Sequence, residues 1–441
     1  MGIKEILKLE RPLLILLIGV LLSHLGTYMV MPMLPIILKV DAGLTLVQIG
    51  TILASIAIAF QFGSILGGVL ADRIGRRFII GLGALISAVG SIGFGFFSSY
   101  VLFLSMAVTM GLGTGLNAPS TKAAIAALAS SETQTTAFSM RGVAANIGTG
   151  IAGLIIFFLI AGSSKMIFYI AGVIYLVLAV KSWVLLPKNC GSASCPIIPS
   201  GAYREALKNK PFLVFSLVSI FIWALYAQLS LALPLIATVI LPEPKNVALI
   251  WTINSLIVIS SQGMITKKVI DRIQPLSALG VGVLFITVGI TSLYFSSAFF
   301  HLVISGAIFV IGEMLILPTI DSTISQLSKA EMIGLFFALA NVVSGLGEAG
   351  GKSIGGRLLG VGEEASPLPW IVFGVTGVSL FLIVMYLKSW EPIRKSLENA
   401  AKKDNKPKHA PRVSIEPAQF RSHPFNSWEP EVFFRKKTRT E

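Results

Sequence analysis

Apolar residues occur along this chain in long stretches that are separated by short polar segments. A stretch of about 18 or more apolar residues with few charges is typical of a helix that crosses a membrane. Twelve such stretches are present, at residues 12–38, 46–70, 78–98, 101–122, 137–162, 166–186, 211–241, 246–265, 275–296, 299–325, 333–360 and 369–389. The pattern predicts an all-α integral membrane protein with twelve transmembrane helices.

The second half of the chain repeats the first half at an offset of 199 residues. Prolines and glycines have backbone roles that other residues replace poorly. The offset aligns them in several spans: Pro35 with Pro234, Pro119 with Pro318, Gly113 with Gly312 and Gly148 with Gly347. The repeat contains six spans, and an even number preserves orientation. We therefore predict two parallel six-helix bundles related by an axis along the membrane normal, which is typical of secondary transporters.

Composition suggests the remaining boundaries. We predict an N-terminal bundle over residues 1–186, a cytoplasmic linker at 187–210, a C-terminal bundle over 211–390 and a basic tail at 391–441. The tail opens with a predicted surface helix, EPIRKSLENAAKK, and the rest of it has the composition of a disordered segment.

The net charge of +14 comes from 35 Lys and Arg against 21 Asp and Glu. In a soluble protein this balance suggests nucleic-acid binding. Here the basic residues collect before the first span and after the even-numbered spans, and cytoplasmic loops of membrane proteins are rich in Lys and Arg. We therefore predict that both termini are cytoplasmic and that no nucleic acid binds. The short loops favour a bacterial inner-membrane protein.

One loop concentrates charge, although only 13% of the residues are charged. Its sequence is GGVLADRIGRR, residues 67–77, between the second and third spans, and Asp271 with Arg272 forms a partial copy at the repeat offset. Arginines hold a loop in the cytoplasm, but topology does not require the aspartate. A purely topogenic basic loop and a structural latch between the bundles are the two interpretations.

This segment resembles the signature of the major facilitator superfamily, which sets glycine, aspartate, arginine, a second glycine and basic residues at fixed spacing. The matching positions are Gly68, Asp72, Arg73, Gly75, Arg76 and Arg77. The resemblance implies a major facilitator fold. It also implies that these residues, with Asp271 and Arg272, latch the halves in the outward-facing state and release them during transport.

The stretch GEMLILPTIDSTISQL resembles the drug:proton antiporter branch of that superfamily. Two features depart from the branch. Ala107 stands where many family exporters carry an arginine, and the fifth span lacks the proline of the antiporter Gly-Pro pair. These departures leave room for an uptake transporter.

Ionisable side chains at bilayer depth are costly, about 2.5–3.5 kcal/mol or more, and therefore indicate function. Glu313 lies twelve residues past His301, near the midplane, and is our first candidate for the proton carrier. Glu348 is also deep, but Lys352 lies one helical turn on and could neutralise it. Asp321, nearer the cytoplasmic end, is predicted to assist.

Polar and aromatic residues inside the spans are candidates for lining a substrate cavity. They are His24, Tyr28, Gln61, Asn117, Arg141, Asn146, Trp223, Tyr226, Gln228, Asn254 and Asn341. An amide in a membrane helix also serves as a hydrogen bond between helices, so both roles stay open for the amides.

Together these features predict a secondary transporter that exports small amphipathic compounds, drug-like or siderophore-like, by proton-driven alternating access. The alternatives are uptake of a nutrient or organic anion and a non-transporting membrane sensor on the same fold. Histidines and cysteines do not cluster, so we predict no enzyme, no metal site and no cofactor. We expect a monomer that interacts with its small-molecule substrate, protons and the lipid bilayer.

Overall fold

The computed structural model describes residues 10–129, 134–159, 165–187, 204, 206–328, 333–360 and 366–404, and the regular elements within them are all helical. The first half contains α1 (Arg11–Val30), α2 (Leu34–Val40), α3 (Leu46–Ile74), α4 (Arg76–Phe96), α5 (Tyr100–Leu128), α6 (Gln134–Leu159) and α7 (Lys165–Leu185). The second half contains α8 (Lys210–Tyr226), α9 (Gln228–Ile240), α10 (Ala248–Lys268), α11 (Pro275–Thr291), α12 (Phe299–Leu327), α13 (Ile333–Gly360) and α14 (Leu368–Ser389). The predicted tail helix is confirmed as α15 (Glu391–Asp404).

Eleven helical segments of the described residues are long and apolar enough to cross a membrane. The predicted eleventh span corresponds to α13, whose second half carries Glu348, Lys352 and Arg357. Its 28 residues extend about 42 Å at roughly 1.5 Å per residue. It packs against α3 and α8 within the bundle, so it lies beside the apolar spans despite its charges.

Large apolar side chains on the outside of the molecule are exposed in stripes. On α7 they are Val173, Val177, Val180 and Val184, spaced three or four residues apart and so on one face of the helix. Such a face is suited to lipid chains.

The predicted spans 12–38 and 211–241 are each confirmed as one membrane-crossing segment, Arg11–Val40 and Lys210–Ile240, but the helix inside each segment is interrupted. The first breaks at residues 31–33, between α1 and α2. Pro32 and Pro35 account for this break, since proline donates no N–H and disfavours helix at the residue before it. The interruption at Ala227 is milder, because its N–H still bonds the Trp223 carbonyl at 3.0 Å.

The fourth span is longer than predicted. The sequence pattern ended it at residue 122, but α5 continues to Leu128. Lys122 therefore lies inside a helix and not at its end.

The two halves meet along two pairs of helices, α3 with α13 and α6 with α10. The offset of 199 residues carries α3 onto α10 and α6 onto α13, so each pair is the image of the other. Lys39 Nζ also donates to Thr238 Oγ1 across the halves at 3.1 Å, and these two residues are 199 positions apart. Their contact therefore lies on the repeat axis. We call this the Lys39 end and the opposite end, where α3 meets α4, the Arg73 end.

Backbones of α3 and α13 touch at the Lys39 end. A Cβ added to Gly50 would lie 2.6 Å from the Lys352 carbonyl oxygen. A Cβ added to Gly356 would lie 2.6 Å from the Leu46 carbonyl oxygen and 2.9 Å from the Gly50 Cα. Only glycine permits this approach.

Along the α6–α10 pair, the distance between the two halves increases from the Lys39 end towards the Arg73 end. Thr252 Oγ1 donates to the Gly150 carbonyl at 2.8 Å, and a Cβ on Gly153 would collide with Thr252. A Cβ on Gly142, three turns away on the same face of α6, would meet nothing within 4 Å. The halves are therefore closed at the Lys39 end and diverge towards the Arg73 end.

The spanning helices all belong to one compact unit, Met1–Ala400, and the end of α15 falls in a second unit, Ala401–Glu441. Most of the predicted linker at 187–210 and the tail from residue 405 onward lie outside the described residues.

Candidate functional site

Glu313 lies at the middle of α12, fourteen residues from either end. The Tyr226 hydroxyl, at the end of α8, lies beside its carboxylate and interacts with it. The Tyr226 ring centroid lies 5.3 Å from that of Trp223 and 5.4 Å from that of Phe309. Glu313, Tyr226 and Trp223 are each partly exposed although they lie deep in the bundle. They therefore line the space between the halves.

Tyr28 on α1 joins this group from the first half. It is close enough to Glu313 and Glu348 for direct electrostatic interaction. Its ring stacks on that of His24, one turn earlier, with centroids 6.4 Å apart. We call Tyr28, Trp223, Tyr226 and Glu313 the central group. Both halves contribute to it, so relative movement of the halves changes it.

Glu348 and Glu313 have different partners. The Glu348 carboxylate lies 3.2 Å from Lys352 Nζ on the same helix, so this pair neutralises itself, as the spacing allowed. No ion pair in the described part of the chain includes Glu313. Glu313 is therefore the carboxylate whose charge no neighbouring cation compensates.

A second charged group lies nearer the Arg73 end. Lys122 on α5 interacts electrostatically with Arg141 on α6 and with Asp321 on α12. Lys122 and Asp321 are 199 residues apart, so the repeat axis passes between them. From its sequence Lys122 was placed at the end of the fourth span, and its role in this group was missed. The repeat offset, which aligns Lys122 with Asp321, was the signal that could have found it.

The signature residues lie at the facing ends of α3 and α4, and the loop between these helices is a single residue. Gly75 has φ of 111° and joins α3 directly to α4. An Arg76 guanidinium nitrogen donates to the Ala123 carbonyl at 3.2 Å, and Arg77 donates to the Trp183 carbonyl. Both acceptors belong to the first half, so these two arginines brace the loop against its own bundle.

The structure shows no contact between the halves at the remaining predicted latch residues that it describes. Arg73 and Arg272 are exposed, and a Cβ on Gly68 would meet nothing within 4 Å. The side chains of Asp72 and Asp271 lie outside the described part of the structure. The latch between the halves therefore stays a prediction.

Replacing Gly75 with alanine is expected to destabilise the protein by roughly 1–2 kcal/mol, the cost of a side chain at positive φ. Space is not the reason, since a Cβ there would meet nothing within 4 Å. Denaturant unfolding of the purified protein measures the change. Gly68→Ala is the matched control, because its position is helical and equally open. Equal stability of the two variants would contradict the strained-turn explanation.

Three predicted cavity residues lie instead in the packed interior. The Asn117 amide donates to the Ile80 carbonyl at 3.0 Å, and the Gln228 amide donates to the Gly351 carbonyl at 2.8 Å. Asn254 is only 7% exposed. Amides inside a bundle bond neighbouring backbone because lipid offers no partner, so Asn117 and Gln228 connect helices, whereas the buried Oδ1 of Asn254 has no hydrogen-bond partner among the described residues.

The other amides are distributed differently. Gln61 contacts Gly345 across the α3–α13 pair. The Asn146 amide donates to the Gly142 carbonyl of its own helix at 3.0 Å. Asn341 is exposed. Arg141, like His24 and the central group, is partly exposed between the halves.

Comparison with known sequences matches this architecture. A sequence profile described as Major Facilitator Superfamily matches residues 16–352. Multidrug resistance protein MdtH of Cronobacter sakazakii is 25% identical over 375 residues, which cover 84% of this chain and 92% of that protein. Quinolone resistance protein NorA of Staphylococcus aureus is 24% identical over 386 residues, with coverage of 86% and 96%.

Solved structures share the fold. The nucleoside transporter NupG matches with a TM-score of 0.73 at 14% identity, over 86% of this chain and 100% of that one. A POT family transporter in complex with a thioalcohol-conjugated peptide matches with a TM-score of 0.72 at 17% identity, over 87% and 96%. With its profile match over more than half of its length, the chain belongs to the Major Facilitator Superfamily and is a multi-pass membrane transporter.

Proposed function

We propose that this transporter exports small amphipathic compounds in exchange for protons and that Glu313 carries the proton. The observation that carries the proposal is the carboxylate of Glu313, which lies beside Tyr226 at the middle of a spanning helix and has no ion-pair partner among the described residues. A charged carboxylate at this depth is costly. Binding a proton removes that cost, so Glu313 is suited to load a proton from one side and release it to the other.

The surroundings of Glu313 supply the coupling. Trp223, Tyr226 and Tyr28 present aromatic surface beside the carboxylate, and such surface binds apolar and cationic groups. Cargo that places a cationic group in this space competes with the proton for Glu313, because the cation and the proton neutralise the same carboxylate. Competition for one group links the movement of cargo to the opposite movement of protons.

The conformation agrees with one step of alternating access. The halves are closed at the Lys39 end and diverge at the Arg73 end. If both termini are cytoplasmic, as the basic residues predict, the open end faces the cytoplasm, where an exporter loads its cargo. Asp321, which interacts with Lys122 at that end, and Glu348 are proposed to assist proton transfer.

The named relatives support export more than uptake. MdtH is named for multidrug resistance and NorA for quinolone resistance. Both come from bacteria, so we propose a bacterial inner membrane as the location and a monomer as the working unit. The nucleoside and POT family transporters are below 20% identical and support the fold alone.

Purified protein in liposomes that enclose a pH-sensitive dye tests the proposal. Under an imposed pH gradient, we expect proton movement on addition of some members of a panel of lipophilic cations, zwitterions and neutral amphipathic compounds. Protein-free liposomes show which compounds carry protons by themselves. Transport of a labelled compound without proton movement would contradict proton exchange.

A further inference from the structure

Positively and negatively charged side chains lie on opposite sides of the space between the two halves. The first half contributes the cations Lys122 and Arg141, and the second half contributes the carboxylates Glu313 and Asp321. His24 lies close to both cations. Cargo in this space therefore meets positive charge on one side and negative charge on the other.

The two cations are placed as a pair. Lys122 and Arg141 come from the adjacent helices α5 and α6 and are close enough to repel each other. Like charges at short range repel each other, and an anion between them would remove the repulsion. Asp321 interacts with Lys122 and offsets one of the two charges.

The Arg141 guanidinium has a hydrogen-bond donor that is available to a ligand. Its Nε is buried and has no hydrogen-bond partner among the described residues. A buried donor without a partner costs free energy. The planar guanidinium matches a carboxylate, which can accept two parallel hydrogen bonds from it.

An aromatic path connects the cation pair to the central group. Asp321, beside Lys122, lies eight residues from Glu313 on α12, about 12 Å along the helix axis at roughly 1.5 Å per residue. On α1, His24, which is near the cations, stacks on Tyr28, which is near Glu313, with ring centroids 6.4 Å apart. The length and chemistry suit a flat aromatic molecule with an anionic group at one end.

We infer that the cargo is an aromatic compound that carries a carboxylate, which binds between Arg141 and Lys122 while the ring system lies along His24 and Tyr28. This inference rests on the proposed transport of amphipathic compounds and narrows it. It makes Lys122 and Arg141 determinants of specificity.

Binding of tetramethylrhodamine and of its methyl ester tests the inference, because the two dyes differ only in the free carboxylate. Fluorescence anisotropy with the purified full chain is expected to show the acid binding about tenfold more tightly than the ester, a difference of about 1.4 kcal/mol. Arg141→Gln and Lys122→Gln are each expected to remove most of that preference by weakening the acid alone. Arg141→Lys keeps the charge and should retain part of it.

Lys395→Gln is the matched control, because Lys395 is exposed on α15 and pairs with Glu391 away from the spans. It should change the affinity for neither dye. Equal affinities of the wild type for acid and ester, no binding of either dye, or equal losses for both dyes in Arg141→Gln would overturn the inference.

Proton movement in liposomes separates this inference from the proposed function. If both dyes bind equally and drive proton movement, the carboxylate site is wrong and proton-coupled export stands. If the acid binds preferentially but neither dye moves protons, the site stands and the proton coupling fails.

Discussion

Glu313→Gln is expected to reduce proton-driven transport to the level of protein-free liposomes while exchange of labelled for unlabelled cargo at equal pH continues. Glutamine has nearly the same shape as glutamate, and its carbonyl oxygen can accept a hydrogen bond from the neighbouring Tyr226 hydroxyl. It cannot take up or release a proton. Net transport against a gradient needs that proton. Exchange needs only that the two halves move relative to each other while cargo is bound.

Loss of proton-driven transport without loss of exchange distinguishes a proton carrier from a structural residue. Glu243→Gln is the matched control, since Glu243 is 63% exposed beside Lys245 at the Lys39 end and should behave as wild type in both assays. Full proton-driven transport by Glu313→Gln would show that the carrier lies elsewhere. Loss of exchange together with proton-driven transport would indicate that Glu313 holds the structure.

Gly356→Ala is expected to prevent closure of the Lys39 end and to slow transport by about tenfold or more, although the protein still folds. The added methyl would lie 2.6 Å from the Leu46 carbonyl oxygen and 2.9 Å from the Gly50 Cα. Backbone atoms on a packed helix cannot move aside as a flexible side chain can. The halves must therefore separate there, and a conformation that cycling requires is lost.

Spin labels attached at the exposed positions Val40 and Glu243, one in each half, report the distance across the Lys39 end. We expect longer distances in Gly356→Ala than in the wild type. Gly360→Ala is the control, because a Cβ one turn along the same helix meets only side-chain atoms at 3.7 and 3.8 Å. Unchanged distances and normal transport in Gly356→Ala would show that the contact is dispensable.

Hydropathy and the repeat predicted most of the fold, because span length and proline and glycine positions are local properties of the sequence. The interruption between α1 and α2 was missed, although Pro32 and Pro35 were visible, since a long apolar run conceals a break in a helix. The end of α5 was placed too early because a charge was taken to mark the membrane surface. Lys122 instead faces the space between the halves. Hydropathy does not indicate the direction in which a side chain points, so it could not predict this position.

The candidate site was predicted as separate residues and not as a group. Depth along the helix identified Glu313, and polarity suggested Tyr28 and Tyr226. Their convergence depends on the rotation of three helices about their own axes, which packing determines. For the same reason Asn117 and Gln228 could not be distinguished from cavity residues before their carbonyl partners were known.

Direct counting of protons tests the central claim that cargo and proton compete at Glu313. Purified protein in weakly buffered detergent solution, with a pH indicator dye, is titrated with a compound that it binds and that carries a cationic group. We expect the wild type to release a proton as the compound binds and Glu313→Gln to bind the compound without releasing one. Equal proton release from both proteins would contradict the assignment of Glu313 as the proton carrier.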